Sequence, residues 1–331
     1  MNNRYIAKIY RKVWSLLIKM IRNTFLYPML YKSWWHSTLS KHTYTNQVNY
    51  FTAQPNIGAG IGHQMANWIA GYWFAEQFNL KFAHIPFSEQ KWENFLGFGE
   101  DEITVDELTK KGYIKVNLPL FDEYNSNEIK LIKNIINSYN NEKVVFLAEQ
   151  DQFYHDQFGP IDKLKQKFYN AKIRKDDKLI YNKAHYNIAI HVRRGDITIG
   201  QLNKNPNLLM RWQDNDYFIN VLNNLLDNLP TNKPSCIYLF SQGIPEDFPE
   251  FKKIKNLKFC LDMNAYDSFL HMLNADLLIT SKSSFSYKPA LLSNGIKICP
   301  DNFWHGYPKT NDWIIADSDG NLDLEQLQEK I

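Results

Sequence analysis

The chain has 331 residues, 44% hydrophobic and 15% aromatic, enough to bury one large core or two ordinary ones, and typical domain sizes favour two. Charged residues make up 22% and the formal net charge is +3, which indicates a folded body and leaves nucleic acid outside the expected partners. The three cysteines, Cys236, Cys260 and Cys299, lie far apart in apolar runs without metal-ligand spacing, so structural zinc and a disulfide framework are not expected.

The charge is unevenly placed. Eight of the 38 Lys and Arg residues precede Ala75 and no acid does, Glu76 being the first, so the remainder carries 30 basic against 35 acidic residues. In the leader, Ile6, Ile9, Val13, Leu17, Met20 and Ile21 recur at helical spacing while Arg4, Lys8, Arg11, Lys12, Lys19 and Arg22 occupy the other side. This predicts a basic amphipathic helix within residues 1–41, either docked on an anionic membrane surface or packed on the body through its aromatic face. Charges interrupt it well before the ~20 apolar residues of a membrane span, and the small-residue cleavage site of a secretory signal is missing. A cytoplasmic protein, peripheral at the inner face of the membrane, is the expectation.

Residues 42–180 read as a first α/β domain. A strand over residues 48–54 (VNYFTAQ) leads into a glycine-rich turn (PNIGAGIGHQ) with Gly58, Gly60, Gly62 and Gln64, then a helix (QMANWIAGYWFAEQF) and a second strand (KFAHIPF). A polar, poorly patterned region follows. After it come a helix near 127–139, a strand over 143–150 (KVVFLAEQ) and a basic helix around 161–172.

Residues 181–331 read as a second, clearer unit. Five apolar runs, NIAIHV, SCIYLFS, LKFCLDM, DLLITS and IKICP, are mostly separated by helical segments, the pattern of a parallel, doubly wound sheet. In NIAIHVRRGD, Ile188, Ile190 and Val192 share one strand face and Ala189 and His191 the other; both faces are mostly apolar until Arg193. With the common strand order 3-2-1-4-5, the first and fourth strands flank the switch point, where ligands bind beyond the carboxyl ends. HVRRGD and TSKSSFS stand at those two ends.

Their chemistry suits a diphosphate. Arg193 and Arg194 are planar donors of permanent charge, and Ser281, Ser283 and Ser284 precede a helix whose first-turn N–H groups accommodate anions. The simpler alternatives are an ion pair of the arginines with Asp196 and an ordinary helix cap at Ser283. The pairs Asp214 with Asp216 and Asp317 with Asp319 imitate a D-x-D metal motif, but neither follows a convincing strand, and Asp216 suits a helix cap; no metal is assigned. Trp304 and His305, just past the last strand, either stack an acceptor sugar or fill space.

HVRRGD resembles the H-x-R-R-G-D motif of the α1,2-fucosyltransferases and, more loosely, that of α1,6- and protein O-fucosyltransferases. DLLITSKSSFSYKPALL is similar to their S-S-F-S segment and GAGIGHQMANW to their G-x-G-N-Q segment, all three in the family's order.

The resemblance implies an α/β, GT-B-like fold with two Rossmann-like domains, metal-independent, with GDP-fucose held mainly by the carboxyl-terminal one. It implies an inverting transfer of L-fucose to a glycan hydroxyl, α1,2 on a galactoside; with the basic leader, the expected setting is cell-surface polysaccharide synthesis on an oligosaccharide or lipid-linked glycan. By position, Arg193 or Arg194 would hold the diphosphate and stabilise departing GDP, with Arg193 first. His191, Ser281, Ser283, Ser284 and Phe285 would line the donor, and Asp267 would meet ribose or guanine. The acceptor proton would go to Asp196, or to His63, which stands where the family has Asn and is otherwise a neutral hydrogen-bond donor. A different nucleotide sugar, or a non-catalytic membrane-peripheral protein binding nucleotide or glycan, are the alternatives.

Overall fold

Ile188, Ile190 and Val192 are wholly buried, and Ala189 and His191 on the opposite face are nearly so. They belong to a central strand covered on both sides. In the computed structural model, which describes residues 9, 12–14, 16–17, 20–21, 24–31, 48–56, 58–139, 142–149, 154–198, 205–229 and 233–330, this strand lies in the larger of two parallel sheets.

The first sheet has the order β2-β1-β4-β3. It comprises β1 (Tyr50–Gln54), α1 (Ile61–Gln77), β2 (Lys81–Phe82), α2 (Gln90–Leu96), α3 (Val105–Lys110), β3 (Ile114–Asn117), α4 (Ser126–Asn137) and β4 (Val144–Glu149). Neighbouring strands are parallel throughout. Ala83, Val105, Leu108, Val145 and Leu147 form a buried cluster against it. The polar region between the expected strands contains α2, α3 and β3. Strand β3 left no sequence signal because it lies at the sheet edge with three of its four residues exposed, so burial imposes no alternation. Helix α3 did carry one: Thr104 and Glu107 form a reciprocal capping box.

The second sheet follows α5 (Ile161–Asn170). Its elements are β5 (Tyr186–His191), α6 (Asn215–Leu226), β6 (Ser235–Ser241), β7 (Leu257–Leu261), α7 (Ala265–Asn274), β8 (Leu277–Ile279), α8 (Ser284–Leu292), β9 (Ile296–Pro300), β10 (Trp313–Ala316) and α9 (Leu324–Gln328). The order β10-β9-β8-β5-β6-β7 reproduces the expected 3-2-1-4-5 arrangement and adds a sixth strand, β10, beside β9. Ile188, Ile190 and Val192 pack with Phe218, Val221 and Leu222 of α6 and with Ile237, Leu239, Ile279, Ile298 and Ile314 of the neighbouring strands. The architecture is α/β with two Rossmann-like parallel sheets.

The sheets fall on either side of residue 180, but the compact units are discontinuous. One contains Ala70–Ile85, Ile103–Tyr154 and the described residues up to Gln54; the other contains Pro55–Ile69, Pro86–Glu102 and His155–Ile331. The glycine turn and the first half of α1 thus belong with the second sheet. The expected leader helix lies largely outside the described residues. Those that are described there, including Ile9, Val13, Trp14, Leu17 and Met20, expose their apolar side chains, and no helix among the described residues is long and apolar enough to cross a membrane. All three cysteines are free and buried, and burial pushes the thiols of Cys260 and Cys299 up to about 11 and about 12.

Candidate active site

Strands β5 and β8 are parallel neighbours with Ile190 opposite Ile279, and the chain reverses its direction of travel across the sheet between them. HVRRGD and TSKSSFS therefore emerge side by side. The two ends bond to each other directly: His191 Nδ1 lies 2.8 Å from Ser281 Oγ, and the His191 ring sits 5.5 Å from that of Phe285. Ser286 Oγ extends this buried network to the Ser281 backbone N–H at 3.2 Å.

The two arginines of the motif sit in different surroundings. Arg194 is 7% exposed; its guanidinium lies 4.1 Å from the centroid of the Trp212 ring, and it donates to the Arg193 carbonyl at 2.8 Å and to Asn215 Oδ1 at 2.6 Å. Burial lowers its pKa to about 10, opposed by Asp214, Asp247 and Glu250. Arg193 keeps its side chain 26% exposed and donates one hydrogen bond to Asp196, at 2.6 Å. Gly195, between Arg194 and Asp196, has φ +73°, a left-handed conformation that lets the chain turn sharply enough for Asp196 to reach back to Arg193.

On β8's side, Ser283 is the N-cap of α8, its Oγ accepting from the Phe285 N–H at 3.2 Å. With Ser281 engaged by His191, the serine hydroxyls organise the helix tip, and its dipole and first-turn N–H groups are what it offers an anion. The glycine turn packs on this tip. A Cβ built on Gly62 would lie 2.7 Å from Ser284 Cβ and 2.9 Å from the Ser284 carbonyl carbon, so only glycine permits the start of α1 to approach the start of α8. Gln64 is buried and clamps the turn, donating to the Ala59 carbonyl and Ser88 Oγ and accepting from the Ser88 N–H. Gly58 (φ +88°) and Gly60 have open space around them. His63 is exposed on the first turn of α1 and, with Lys288 and His155, is close enough to His305 to act on its charge.

Asp267 sits exposed in the first turn of α7, exchanging hydrogen bonds with Asn264 across the helix start. The cap expected at Asp216 belongs to Asp214, which occupies the N-cap position of α6 while its carboxylate accepts from the Trp212 indole. Asp317, contrary to expectation, directly follows a strand, β10, but its carboxylate accepts from Asp319 and Asn321 within a turn. No three His, Cys, Asp or Glu side chains among the described residues are grouped to hold a metal ion. An open cavity of about 510 Å³ lined by Glu123, Tyr124, Ser126, Ile129, Lys130 and Lys133 contains none of the residues singled out by sequence.

Sequence reasoning missed a strap, Arg211–Asn215, laid over the strand ends. Trp212 and Asn215 hold Arg194, Gln213 Oε1 accepts from the Lys282 N–H at 2.8 Å, and the Arg211 guanidinium lies 5.3 Å from the Trp304 ring. The W-Q-D-N string before α6 was the available signal, a cluster of side-chain donors and acceptors at a helix start.

No protein-family model and no curated protein matches this sequence. Among solved structures, the chain is similar to NodZ α-1,6-fucosyltransferase co-crystallised with GDP, at TM-score 0.45 and 11% identity over 84% of this chain and 98% of that one. POFUT1 in complex with GDP gives 0.43 and 12%, over 77% and 99%, and an Arabidopsis thaliana FUT1 mutant with GDP gives 0.38 and 11%, over 82% and 76%. Likenesses this distant carry no argument, so the functional reading rests on the residues of the site.

Burial, with Arg193 and Arg194 nearby, lowers the pKa of His191 to about 3, and burial with Lys288 beside it holds His305 similarly far down. Both imidazoles are neutral in the folded state. Unfolding releases them to titrate near 6.5, so the stability they lend is complete above that pH and is lost as pH falls toward 3, by about 2 kcal/mol per histidine at pH 5. We expect the stability drop between pH 7 and pH 5 to shrink by about that amount in His191→Gln. Urea titrations at the two pH values measure it, and an unchanged drop would show that His191 takes a proton in the folded protein.

Proposed function

We propose that this protein is an inverting, metal-independent glycosyltransferase that moves L-fucose from GDP-fucose to a glycan hydroxyl. The observation that supports this best is the direct His191 to Ser281 contact between the ends of β5 and β8, one of which leads to the partly exposed Arg193 and the other to the capped N-terminus of α8, at a parallel-sheet switch point. Such a pair of fixed positive features stabilises a pyrophosphate as its sugar leaves, where negative charge grows in the transition state. Asp267, at the start of α7, is proposed to meet ribose or guanine. The acceptor is an oligosaccharide or lipid-linked glycan, with α1,2 linkage to a galactoside and a role in cell-surface polysaccharide synthesis as the specific form of the proposal. Turnover of purified protein with GDP-fucose, GDP-mannose and UDP-sugars, with the product linkage determined by NMR, tests it. Binding of GDP without hydrolysis or transfer from any GDP-sugar would leave a non-catalytic binder instead.

The acceptor proton is proposed to go to His63, exposed on the first turn of α1, with Asp196, exposed beside Arg193, as the alternative base. A base works only when deprotonated, so kcat/KM falls in acid in the wild type, and His63→Gln flattens that limb while lowering the plateau about 10²-fold. An acidic limb that survives the substitution would return the role to a carboxylate.

Residues 1–41 are proposed to hold the enzyme at the inner face of an anionic membrane, where lipid-linked acceptors reside. The exposed apolar side chains of Ile9, Val13, Trp14, Leu17 and Met20 support this. Removing residues 1–41 is expected to release the protein from phosphatidylserine vesicles in flotation while sparing transfer to a soluble acceptor. Equal vesicle binding with and without the segment would reject the membrane role.

A further inference from the structure

Arg211 was not anticipated by sequence, and its surroundings leave it incompletely satisfied. The strap that carries it is fixed at successive strand ends: Trp212 and Asn215 on Arg194 after β5, and Gln213 on the Lys282 N–H after β8. Arg211 itself reaches Trp304, beyond β9. Its Nε is buried without a hydrogen-bond partner, and no carboxylate among the described residues forms an ion pair with it. An unpaired buried guanidinium N–H is costly, and an anion reaching the accessible part of this half-buried side chain offsets its charge. Burial disfavours the charge of Arg211 most, Arg193 adds repulsion, and Asp196 opposes them. Among the described residues that carboxylate pairs with Arg193 alone.

We infer that Arg211 is a second guanidinium of the donor site, which together with Arg193 takes the two phosphates of a nucleoside diphosphate. This rests on the diphosphate reading proposed above and extends it to a residue outside the three sequence motifs. Trp304, half-buried, lies with its ring centroid 5.3 Å from the Arg211 guanidinium and buttresses it. Two arginines divide the work: Arg193 answers to Asp196 and the turn after β5, Arg211 to the strap. A diphosphate engages both, and a monophosphate engages fewer of their donors.

Calorimetric titration of the full chain with GDP, GMP and guanosine tests this, using wild type, Arg211→Met, Arg211→Lys and Arg193→Met. We expect Arg211→Met to weaken GDP binding about tenfold or more and GMP binding about threefold or less. Arg211→Lys recovers part of the loss, and the salt dependence of GDP affinity becomes shallower in Arg211→Met, which a merely structural role would not produce. The lysine variant keeps the charge and the aliphatic stem, so it carries the comparison should the methionine variant not fold. If GDP affinity is unchanged at Arg211 but falls in Arg193→Met, the inference about Arg211 is wrong and the diphosphate reading stands. If wild-type protein binds neither GDP nor GMP, the diphosphate reading itself fails.

Discussion

Arg193→Ala is expected to lower the rate of transfer about 10³-fold with little change in stability. The side chain follows the end of β5, is 26% exposed, and among the described residues has one polar partner, Asp196, itself exposed. Truncating it removes no core contact and leaves no buried group unsatisfied, so its effect on unfolding stays within about 0.5 kcal/mol. In transfer, by contrast, a fixed donor aimed at developing charge on the leaving diphosphate supplies roughly 3 to 4 kcal/mol that the ground state does not use. Arg193→Lys recovers little, because a point charge does not reproduce the planar fork. Initial rates with GDP-fucose, beside urea melts of the same preparations, measure both halves. Near wild-type turnover from the alanine variant would remove Arg193 from the mechanism.

The neighbouring residue is expected to behave in the opposite sense. Arg194→Ala should destabilise the protein by about 3 kcal/mol, and any fall in activity should track the folded fraction. Arg194 is buried beneath Trp212 and donates to Asn215 and to the Arg193 carbonyl. Asp214, Asp247 and Glu250 lie close enough to favour its charge, so its loss leaves carboxylates uncompensated and a void under the indole. Urea unfolding at pH 7 decides it: a variant within 1 kcal/mol of wild type would mean the stacked guanidinium contributes nothing net.

The inner strands of the second sheet, β5, β6, β8 and β9, were legible because they are covered on both faces and so must be apolar over successive residues, as in the run from Ile188 to Val192. Where burial is one-sided or lacking, as in the edge strand Ile114–Asn117, composition is released from that requirement and the pattern vanishes. The short β10 went unread because no helix separates it from β9, so the alternation by which the strands were counted stops there. At the site, HVRRGD and TSKSSFS were placed at the switch point by counting strands. The strap residues Arg211, Trp212 and Gln213 were not, because their significance lies in partners at Trp304, Arg194 and Lys282.

By itself, the order of apolar runs determined an α/β chain with two parallel sheets and put arginines and serines at neighbouring strand ends, since local periodicity records which faces must leave water. Only the tertiary structure decided that Arg194 is sealed under Trp212 while Arg193 stays half-open, that Gly62 admits α1 to the tip of α8, and that Arg211 arrives from a distant loop. Two identical side chains in succession have the same propensity and charge; what separates them is contact with segments remote in sequence, which no local pattern encodes.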